Sequence, residues 1–328
     1  MRLIKILTTT VKPNYPEWGQ QTEMLPGWKE EAERLWKTKG NPTLLADLKW
    51  GVRLFLAAKK YDAVVTGFER HVWIFSLLRR LFGQKTPHIF LDAHPVLPAT
   101  TFFWKIKRQV FRQIFLSATK VVTFSTKQRD LWMYTFKLPE TNFAVVPYWA
   151  TAATEKVQTS NGGYVFAGGD EERDYPTLIE AFRTLPYRLE IATLRPEQFP
   201  AGTLPPNVTA RKYPHEEFMK LLAGASLVVV PLKERTIRYA GQQTYLNAML
   251  LGKPVIVACS GADDYIRSGV DGIIVPPGDV QALRSFIVSS MIDKEVANTL
   301  AKNGQKRAQE FTPKRYFDSI FELVRKAV

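Results

Sequence analysis

The sequence is poor in cysteine and histidine and has no long hydrophobic run. Its 328 residues include one cysteine, Cys259, so no internal disulfide or cysteine-rich metal cluster is available. The four histidines lack the paired spacing of a zinc site. No run of about 18 or more apolar residues occurs, and the first residues turn polar too early for a signal peptide. We therefore expect a cytoplasmic protein without a metal cluster or a zinc site.

The positive charge is concentrated in the first half of the chain. The net charge is +14 at pH 7. Residues 1–148 contain 23 basic and 11 acidic side chains, whereas residues 149–328 contain 22 and 20. Such asymmetry favours an anionic partner, either nucleic acid, an anionic membrane or an acidic substrate, and a charge that serves only solubility is the alternative. Because the sequence shows no recognised nucleic-acid motif, we do not expect nucleic acid to be that partner.

Short β-branched strands alternate with longer helical patterns in both halves of the chain. This alternation predicts an α/β fold of two tandem Rossmann-like domains, each built on a parallel sheet with helices on both faces. We predict an N-terminal domain over 1–148, a linker over 149–161, a C-terminal domain over 162–312, and a last helix over 313–328 that packs back toward the first domain. Ligands bind at the carboxyl ends of such strands, so a cleft between the domains is expected to hold the site.

Two glycine-containing turns in the second half are candidate phosphate sites. In "YAGQQTYLNAMLLGKPVIV", residues 239–257, Gly241 precedes a helix whose first N–H groups favour a phosphate. In "YVFAGGDEERDYPTLIEAF", residues 164–182, Gly168 and Gly169 form a turn, and Arg173 offers a cation for a diphosphate. An ordinary strand–helix turn is the alternative at both places. Neither turn matches the dinucleotide or Walker patterns.

A third candidate follows a predicted strand of the first half, in "IFLDAHPVLPATTFFWK", residues 89–105. Asp92 and His94 stand where residues of a cleft are expected. A histidine there could donate a hydrogen bond to a sugar hydroxyl or carry a proton. A helix-capping histidine is the alternative. We expect the remaining histidines, at 71, 88 and 215, to be structural.

The second half resembles the C-terminal domain of family 4 glycosyltransferases, two-domain enzymes of the GT-B fold that use nucleotide-sugar donors. Three segments carry the resemblance: "GGYVFAGGDEERDYPTLIEAF", "FMKLLAGASLVVVPL" and "QTYLNAMLLGKPVIVACSGADDYIRSGVDGIIVPPGDVQAL". The similarity spans roughly 160–328. The first half is similar in layout, in the strand that precedes His94, and in "FAVVPY".

The resemblance implies a role for each matching position. The loop cation that faces the donor diphosphate falls at Arg173, and the family's histidine near the sugar falls at His94. The family's two glutamates, eight residues apart, fall at Tyr239 and Asn247, so a phenol and an amide replace them. A further family glutamate falls at Asp264. The cradle for sugar and phosphate is implied for four consecutive residues: Gly241, Gln242, Gln243 and Thr244.

These observations predict a glycosyltransferase that takes a sugar from a nucleoside-diphosphate sugar. The resemblance implies retention at the anomeric carbon with no protein nucleophile. Arg173 and the amides at 241–244 would stabilise the leaving group, so we expect neither a cofactor nor a metal. An epimerase or hydrolase of the same fold and a non-enzymatic nucleic-acid- or anion-binding protein remain alternatives. Loss of the glutamate pair fits either an amide-based donor site, which we favour, or an inactive relative.

The segment "TTFFWKIKRQVFRQIFLS", residues 100–117, predicts a basic amphipathic helix. Phe103, Ile106, Val110, Ile114 and Ser117 share one face at helical spacing, with Phe111 and Phe115 beside them. Such a helix can lie on an anionic bilayer, and a core-packing helix is the alternative. We therefore expect peripheral association with the inner face of the membrane and a lipid-linked or otherwise membrane-held acceptor. The basic residues proposed to contact the membrane or acceptor are Lys105, Lys107, Arg108 and Arg112.

Overall fold

The computed structural model describes most of the chain and divides it into two compact units. Unit 1 comprises Met1–Val146 and Phe317–Val328, and unit 2 comprises Pro147–Tyr316. The described residues are 4–10, 16–37, 43–91, 102–152, 157–199, 202–233, 240–259 and 261–328.

Unit 1 is built on a six-stranded parallel sheet in the order β2-β1-β3-β4-β5-β6. Its strands are short, and the four central ones are almost wholly buried, as expected for a sheet covered on both faces, whereas the two edge strands are partly exposed. The strands are β1 Ile6–Thr8, β2 Thr22–Met24, β3 Ala63–Thr66, β4 His88–Phe90, β5 Lys120–Thr123 and β6 Phe143–Val145. The helices are α1 Pro16–Gln21, α2 Trp28–Lys37, α3 Leu44–Ala58, α4 Arg70–Phe82, α5 Phe102–Ser117 and α6 Thr126–Phe136.

The strand order places α3, α4, α5 and α6 on one face of this sheet. Every step from β2 to β3 and on to β6 moves across the sheet in the same direction, and parallel crossovers are right-handed. The step from β1 to β2 runs the other way, so α1 lies on the opposite face. There the ring of Trp18 packs 5.3 Å from Phe317 and 5.5 Å from Phe321.

Unit 2 is built on a second parallel sheet, in the order β12-β11-β10-β7-β8-β9. Its strands are β7 Tyr164–Gly168, β8 Arg188–Ala192, β9 Val208–Arg211, β10 Leu227–Pro231, β11 Val255–Ala258 and β12 Ile273–Val275. Its helices are α7 Tyr175–Phe182, α8 His215–Gly224, α9 Gln242–Leu250, α10 Val280–Ile292 and α11 Lys294–Ala308, followed by α12 Pro313–Ala327, whose residues from Phe317 onward belong to unit 1.

The core of unit 2 lies on both faces of its sheet. Alternate residues of a strand point to opposite faces. Phe166, Val228 and Val230 accordingly join one hydrophobic cluster, whereas Val165 and Val229 join the other. This arrangement requires uninterrupted apolar strands such as the completely buried β10.

The predicted fold class, two Rossmann-like units with parallel sheets, is confirmed. Two elements were not predicted, namely the short helix α1 and the edge strand β2. Their sequence, "PEWGQQTEM", has neither apolar alternation nor a helical apolar stripe. Among the described helices, none is long and apolar enough to cross a membrane.

Candidate functional site

Unit 2 contains a cavity of about 430 Å³ at the carboxyl edge of its sheet. The chain leaves β7 toward β8 and β9 and later returns to β10 on the other side of β7. The gap between β7 and β10 is therefore a topological switch point, where open α/β sheets bind their ligands. The cavity is lined by residues after these strands and at the start of two helices: Gly169, Asp170, Glu171, Arg173, Ala192, Thr193, Leu194, Tyr213, His215, Phe218, Met219, Gly241, Gln243, Thr244 and Asn247.

Arg173 supplies a positive charge at the inner wall of this cavity. Only 8% of the residue is exposed. Its Nε donates to the carbonyl of Gly168 at 3.0 Å, Nη1 to the carbonyl of Glu171 at 2.7 Å, and Nη2 to Oγ1 of Thr244 at 3.2 Å. Burial lowers the pKa of the guanidinium, but an arginine starts so high that it stays charged at neutral pH. A fixed, desolvated cation is the result.

The loop that carries Arg173 is tied to the end of β10. Asp174 donates its N–H to the carbonyl of Pro231 at 3.0 Å, and Lys233 donates to the carbonyl of Glu172, also at 3.0 Å. The carboxylate of Asp174 then caps the first turn of α7 by accepting from the N–H of Thr177 at 3.3 Å. The loop after β7 is thereby held across the switch point.

Glycine is required at position 169 for two reasons. Its φ is +103°, which side-chain-bearing residues rarely adopt. A Cβ at this position would also lie 2.5 Å from Nη2 of Arg173. The absent side chain therefore leaves the space that the guanidinium occupies.

Helix α9 begins at the cavity with its first N–H groups uncapped by a side chain. Gly241 is the N-cap residue in the left-handed region, with a φ of +89°, and it makes no side-chain capping hydrogen bond. The first N–H groups of a helix have no partner within the helix and carry the positive end of its dipole. Because Arg173 contacts Thr244 in this first turn, two sources of positive potential meet at one place.

Asn247 lies one turn farther along α9 and holds the segment that enters unit 2. Its Oδ1 accepts from the backbone N–H of Thr151 at 2.8 Å and of Ala152 at 2.9 Å. Its Nδ2 donates to Oγ1 of Thr151 at 3.0 Å, and Nε2 of Gln243 donates to the same oxygen at 3.1 Å. The family resemblance implies a contact between this position and the ribose of the donor, but the side-chain oxygen of Asn247 is already used within unit 2. The ribose contact of Asn247 stays a prediction, for which one further N–H of the amide is available.

Most of the predicted donor-site residues converge on the cavity, but three do not. Gly168 contributes its carbonyl to Arg173 and does not line the cavity. Gln242 is buried away from it, and Nε2 of this residue has no partner among the described residues. Asp264 is not among the lining residues, and its backbone carbonyl accepts from Nη2 of Arg307 at 3.0 Å.

Two predicted residues, His94 and Tyr239, lie outside the described residues. Their roles stay predictions that depend on the resemblance. Asp92 lies outside as well.

Sequence reasoning missed several cavity residues on the side of β8 and β9. His215, which we expected to be structural, is exposed and lines the cavity at the start of α8. Asp170 also lines it, and its Oδ1 accepts from the N–H of Leu194 at 2.9 Å and from the hydroxyl of Thr193. The signal available in the sequence was position, because each of these residues follows the carboxyl end of a strand. The histidines at 71 and 88 are buried, as expected for structural residues.

Helix α5 is divided between a core-packing half and an exposed half. Phe111, Ile114 and Phe115 are buried, so the prediction of one continuous membrane-facing stripe was wrong for this part. Phe103, Ile106 and Val110 are exposed in the first half. Lys105 and Lys107 are exposed, whereas Arg108 and Arg112 are half-buried, and Nε of Arg112 donates to the carbonyl of Lys137 at 3.4 Å.

Comparison with known protein families finds a match in the second half of the chain. Residues 148–293 match the family model described as "Glycosyl transferases group 1". The second unit carries a group 1 glycosyltransferase domain. This match confirms the glycosyltransferase class that the sequence resemblance indicated. No curated protein matches the sequence significantly.

Solved structures of glycosyltransferases share the fold over the whole chain. Anabaena HepE in complex with UDP and glucose superposes with a TM-score of 0.73 at 18% identity, covering 98% of this chain and 100% of HepE. A glycosyltransferase from Rickettsia africae gives 0.72 at 13% identity, covering 100% and 99%. The lipopolysaccharide outer core galactosyltransferase WaaB gives 0.70 at 13% identity, covering 99% and 100%. The glycosyltransferase domain therefore belongs to a chain with the GT-B fold.

Proposed function

We propose that this glycosyltransferase binds a nucleoside-diphosphate sugar in the cavity of unit 2 and transfers the sugar to an acceptor hydroxyl. The observation that carries the proposal is the convergence of the buried guanidinium of Arg173 with the uncapped first turn of α9. Both favour a diphosphate, and a helix start next to a fixed arginine is a ready-made anion site. The volume of about 430 Å³ lies within the usual range for small-molecule sites.

The geometry supports stabilisation of the leaving group as the main catalytic contribution of unit 2. In transfer, the bond between the anomeric carbon and the β-phosphate oxygen breaks, and its electron pair stays with the nucleoside diphosphate. The acceptor oxygen forms the new bond, and its proton passes to the departing phosphate. Arg173 and the N–H groups of Gln243 and Thr244 would stabilise the added negative charge without a metal. Among the described residues, no group of three His, Cys, Asp or Glu is placed to hold a metal ion.

Three large side chains with apolar surface are among the cavity lining and suit a nucleobase, namely Leu194, Tyr213 and Phe218. UDP is the first probe to test, since HepE is described in complex with UDP and with UDP-glucose. Retention at the anomeric carbon is proposed from the family resemblance.

We also propose that the acceptor is held at a membrane surface, presented to unit 1. The support is the exposed, basic first half of α5, with Lys105 and Lys107 beside Phe103 and Ile106. A lipid-linked acceptor would be delivered by this association.

Product analysis tests the proposed reaction. The protein is incubated with a panel of nucleotide sugars and a membrane extract in EDTA, and nucleoside diphosphate release is compared with sugar incorporation. Incorporation matched by release supports transfer, and the anomeric configuration of the product reports retention. Release without incorporation would identify a hydrolase, and an altered sugar that stays nucleotide-linked would identify an epimerase.

A further inference from the structure

The exposed hydrophobic side chains of this protein are concentrated on one helical layer of unit 1. Of 18 large hydrophobic residues that the described structure exposes, 11 lie on α3, α4 and α5. These helices are neighbours on one face of the sheet, with α4 packed against both of the others. Soluble monomers rarely expose many large apolar side chains together, so this outer surface points to a partner.

Helix α3 contributes more exposed hydrophobic side chains than α4 or α5. Its exposed residues recur at helical spacing and form one outward stripe: Leu44, Leu45, Leu48, Val52 and Leu56. At the amino end of the helix, Leu44 is 74% exposed and Leu45 is 78% exposed. The inward positions, among them Trp50 and Leu54, are buried in the core. The stripe is therefore additional to the residues that α3 needs for folding.

The neighbouring helices extend this surface. On α4 the exposed residues are Leu77, Leu81 and Phe82, and on α5 they are Phe103, Ile106 and Val110. Phe82 packs 5.7 Å from Phe55 of α3, and Nε of Arg80 donates to Gln113 of α5 at 2.7 Å, which joins the three helices. We call the exposed large hydrophobic residues of α3, α4 and α5 the apolar layer.

The charge around the apolar layer identifies the kind of partner. Helices α3, α4 and α5 contain nine lysines and arginines, of which Arg79 is buried, and one acidic residue, Asp47. Asp47 is buried and paired with Arg70 at 2.8 Å, so it offers no exposed negative charge. A second copy of the same surface would be repelled, whereas an anionic lipid surface would be attracted and could take up the leucine and phenylalanine side chains.

The position of the most exposed residues relates the layer to catalysis. Helices α3 and α5 each lead into a parallel strand, so their amino ends lie at the carboxyl edge of the sheet. Leu44, Leu45 and Phe103 stand at these ends. Ligands of such sheets bind at that edge, so a bilayer docked there would bring a lipid-borne acceptor to it.

We infer that the outer surface of α3, α4 and α5 docks on an anionic lipid bilayer, with the leucine stripe of α3 as its main anchor. This inference deepens the proposed function, because it names the surface that receives the acceptor. It extends the membrane contact from the basic helix α5 to a three-helix layer in which most of the apolar side chains come from α3 and α4.

Vesicle sedimentation tests the inference with the full chain. The vesicles contain phosphatidylcholine with about one third phosphatidylglycerol, or phosphatidylcholine alone, at low and high salt. The wild type should sediment with the anionic vesicles at low salt. Leu44→Gln/Leu45→Gln/Leu48→Gln should bind at least about tenfold more weakly, because each lost leucine removes apolar area from the bilayer contact. The charge variant Lys49→Glu/Arg53→Glu should lose a similar factor at low salt.

The matched control is Phe286→Gln/Ile292→Gln, which removes two exposed apolar side chains from α10 in unit 2. It should sediment like the wild type. A wild type that stays in the supernatant would overturn the inference, as would equal binding by the α3 variant and the control. Two other results would also overturn the inference. One is that the wild type is a dimer and the α3 variant is a monomer, and the other is that RNA displaces the wild type from the vesicles at equal salt.

A thermal-shift measurement with UDP separates this inference from the proposed function. The α3 variant should keep the wild-type UDP response, which also shows that it is folded. Lost vesicle binding by the variant with an intact UDP response supports the docking surface. Vesicle binding by a wild type that responds to no nucleoside diphosphate would leave the surface standing and refute the donor site.

Discussion

Replacing Gly169 by alanine should disable the cavity while leaving the domain folded. The new Cβ would lie 2.5 Å from Nη2 of Arg173, whereas non-bonded heavy atoms keep about 3.5 Å apart. The guanidinium must therefore move by about 1 Å. Its bonds to Gly168 and Thr244, now 3.0 and 3.2 Å long, would break or weaken. Since the group that moves is the end of a long side chain, the fold can accommodate the change.

The magnitude follows from the charge-assisted contact that is lost. Such a hydrogen bond contributes about 1.5–3 kcal/mol, so affinity for a nucleoside diphosphate should fall about tenfold to a hundredfold. Gly163→Ala is the matched control. Gly163 also has a positive φ, +71°, but an added Cβ meets nothing within 4 Å. Both variants should lose roughly 1–2 kcal/mol of stability to the positive φ.

Calorimetric titration with UDP and urea unfolding together decide this prediction. Both variants should remain folded, with Gly169→Ala unfolding at the lower urea concentration because hydrogen bonds of Arg173 are weakened as well, and Gly169→Ala alone should lose affinity. Equal UDP affinity in the two variants would refute the placement of the phosphate next to Arg173.

Two further predictions concern buried polar groups. Burial lowers the pKa of His71 to about 3 and that of His88 well below its ordinary value, so the unfolded chain binds protons that the folded unit 1 does not. The stabilising contribution of the two neutral histidines is therefore complete above about pH 6.5. Below that pH the free energy of unfolding should fall by about 1.4 kcal/mol per pH unit per histidine as the pH drops toward 3. Urea unfolding followed by tryptophan fluorescence measures this change in unit 1, which contains seven of the eight tryptophans. His71→Phe should reduce this pH dependence, and an unchanged slope would contradict it. Asn247→Leu should lower the free energy of unfolding by about 1–3 kcal/mol, because the N–H groups of Thr151 and Ala152 lose their acceptor. Asn247→Asp keeps an acceptor and should lower it less, as measured by urea titration followed by circular dichroism. Equal losses in the two variants would show that packing, not hydrogen bonding, matters at this position.

The sheet architecture could be predicted because its signal is repeated many times. Buried parallel strands are continuous apolar runs, and "LVVVP" at 227–231 or "VIVA" at 255–258 cannot be solvated without large cost. The three-residue edge strand β2 has no such signal. Its pairing to β1 is decided by tertiary contacts that no local pattern encodes.

Residues of the donor cavity could be predicted from the sequence only where glycine indicates a special backbone conformation or where a loop residue carries a charge. Gly169, Gly241 and Arg173 were identifiable, because glycine turns and an arginine in a loop have a direct physical meaning. Side-chain direction on α9 could not be predicted, since nearly all residues of this helix are buried and no polar stripe indicates an outward face. For example, the sequence does not show that Gln243 lines the cavity whereas the adjacent Gln242 is buried outside the lining.

The most direct test of the central claim is calorimetric titration of the protein with UDP, GDP and ADP in EDTA. The wild type should bind at least one of them at a single site, and Arg173→Gln should bind it about tenfold to a hundredfold more weakly. Arg183→Gln, at an exposed arginine after α7, should bind like the wild type. Absence of binding by all three nucleotides, or equal affinity in Arg173→Gln, would contradict a diphosphate site at the start of α9.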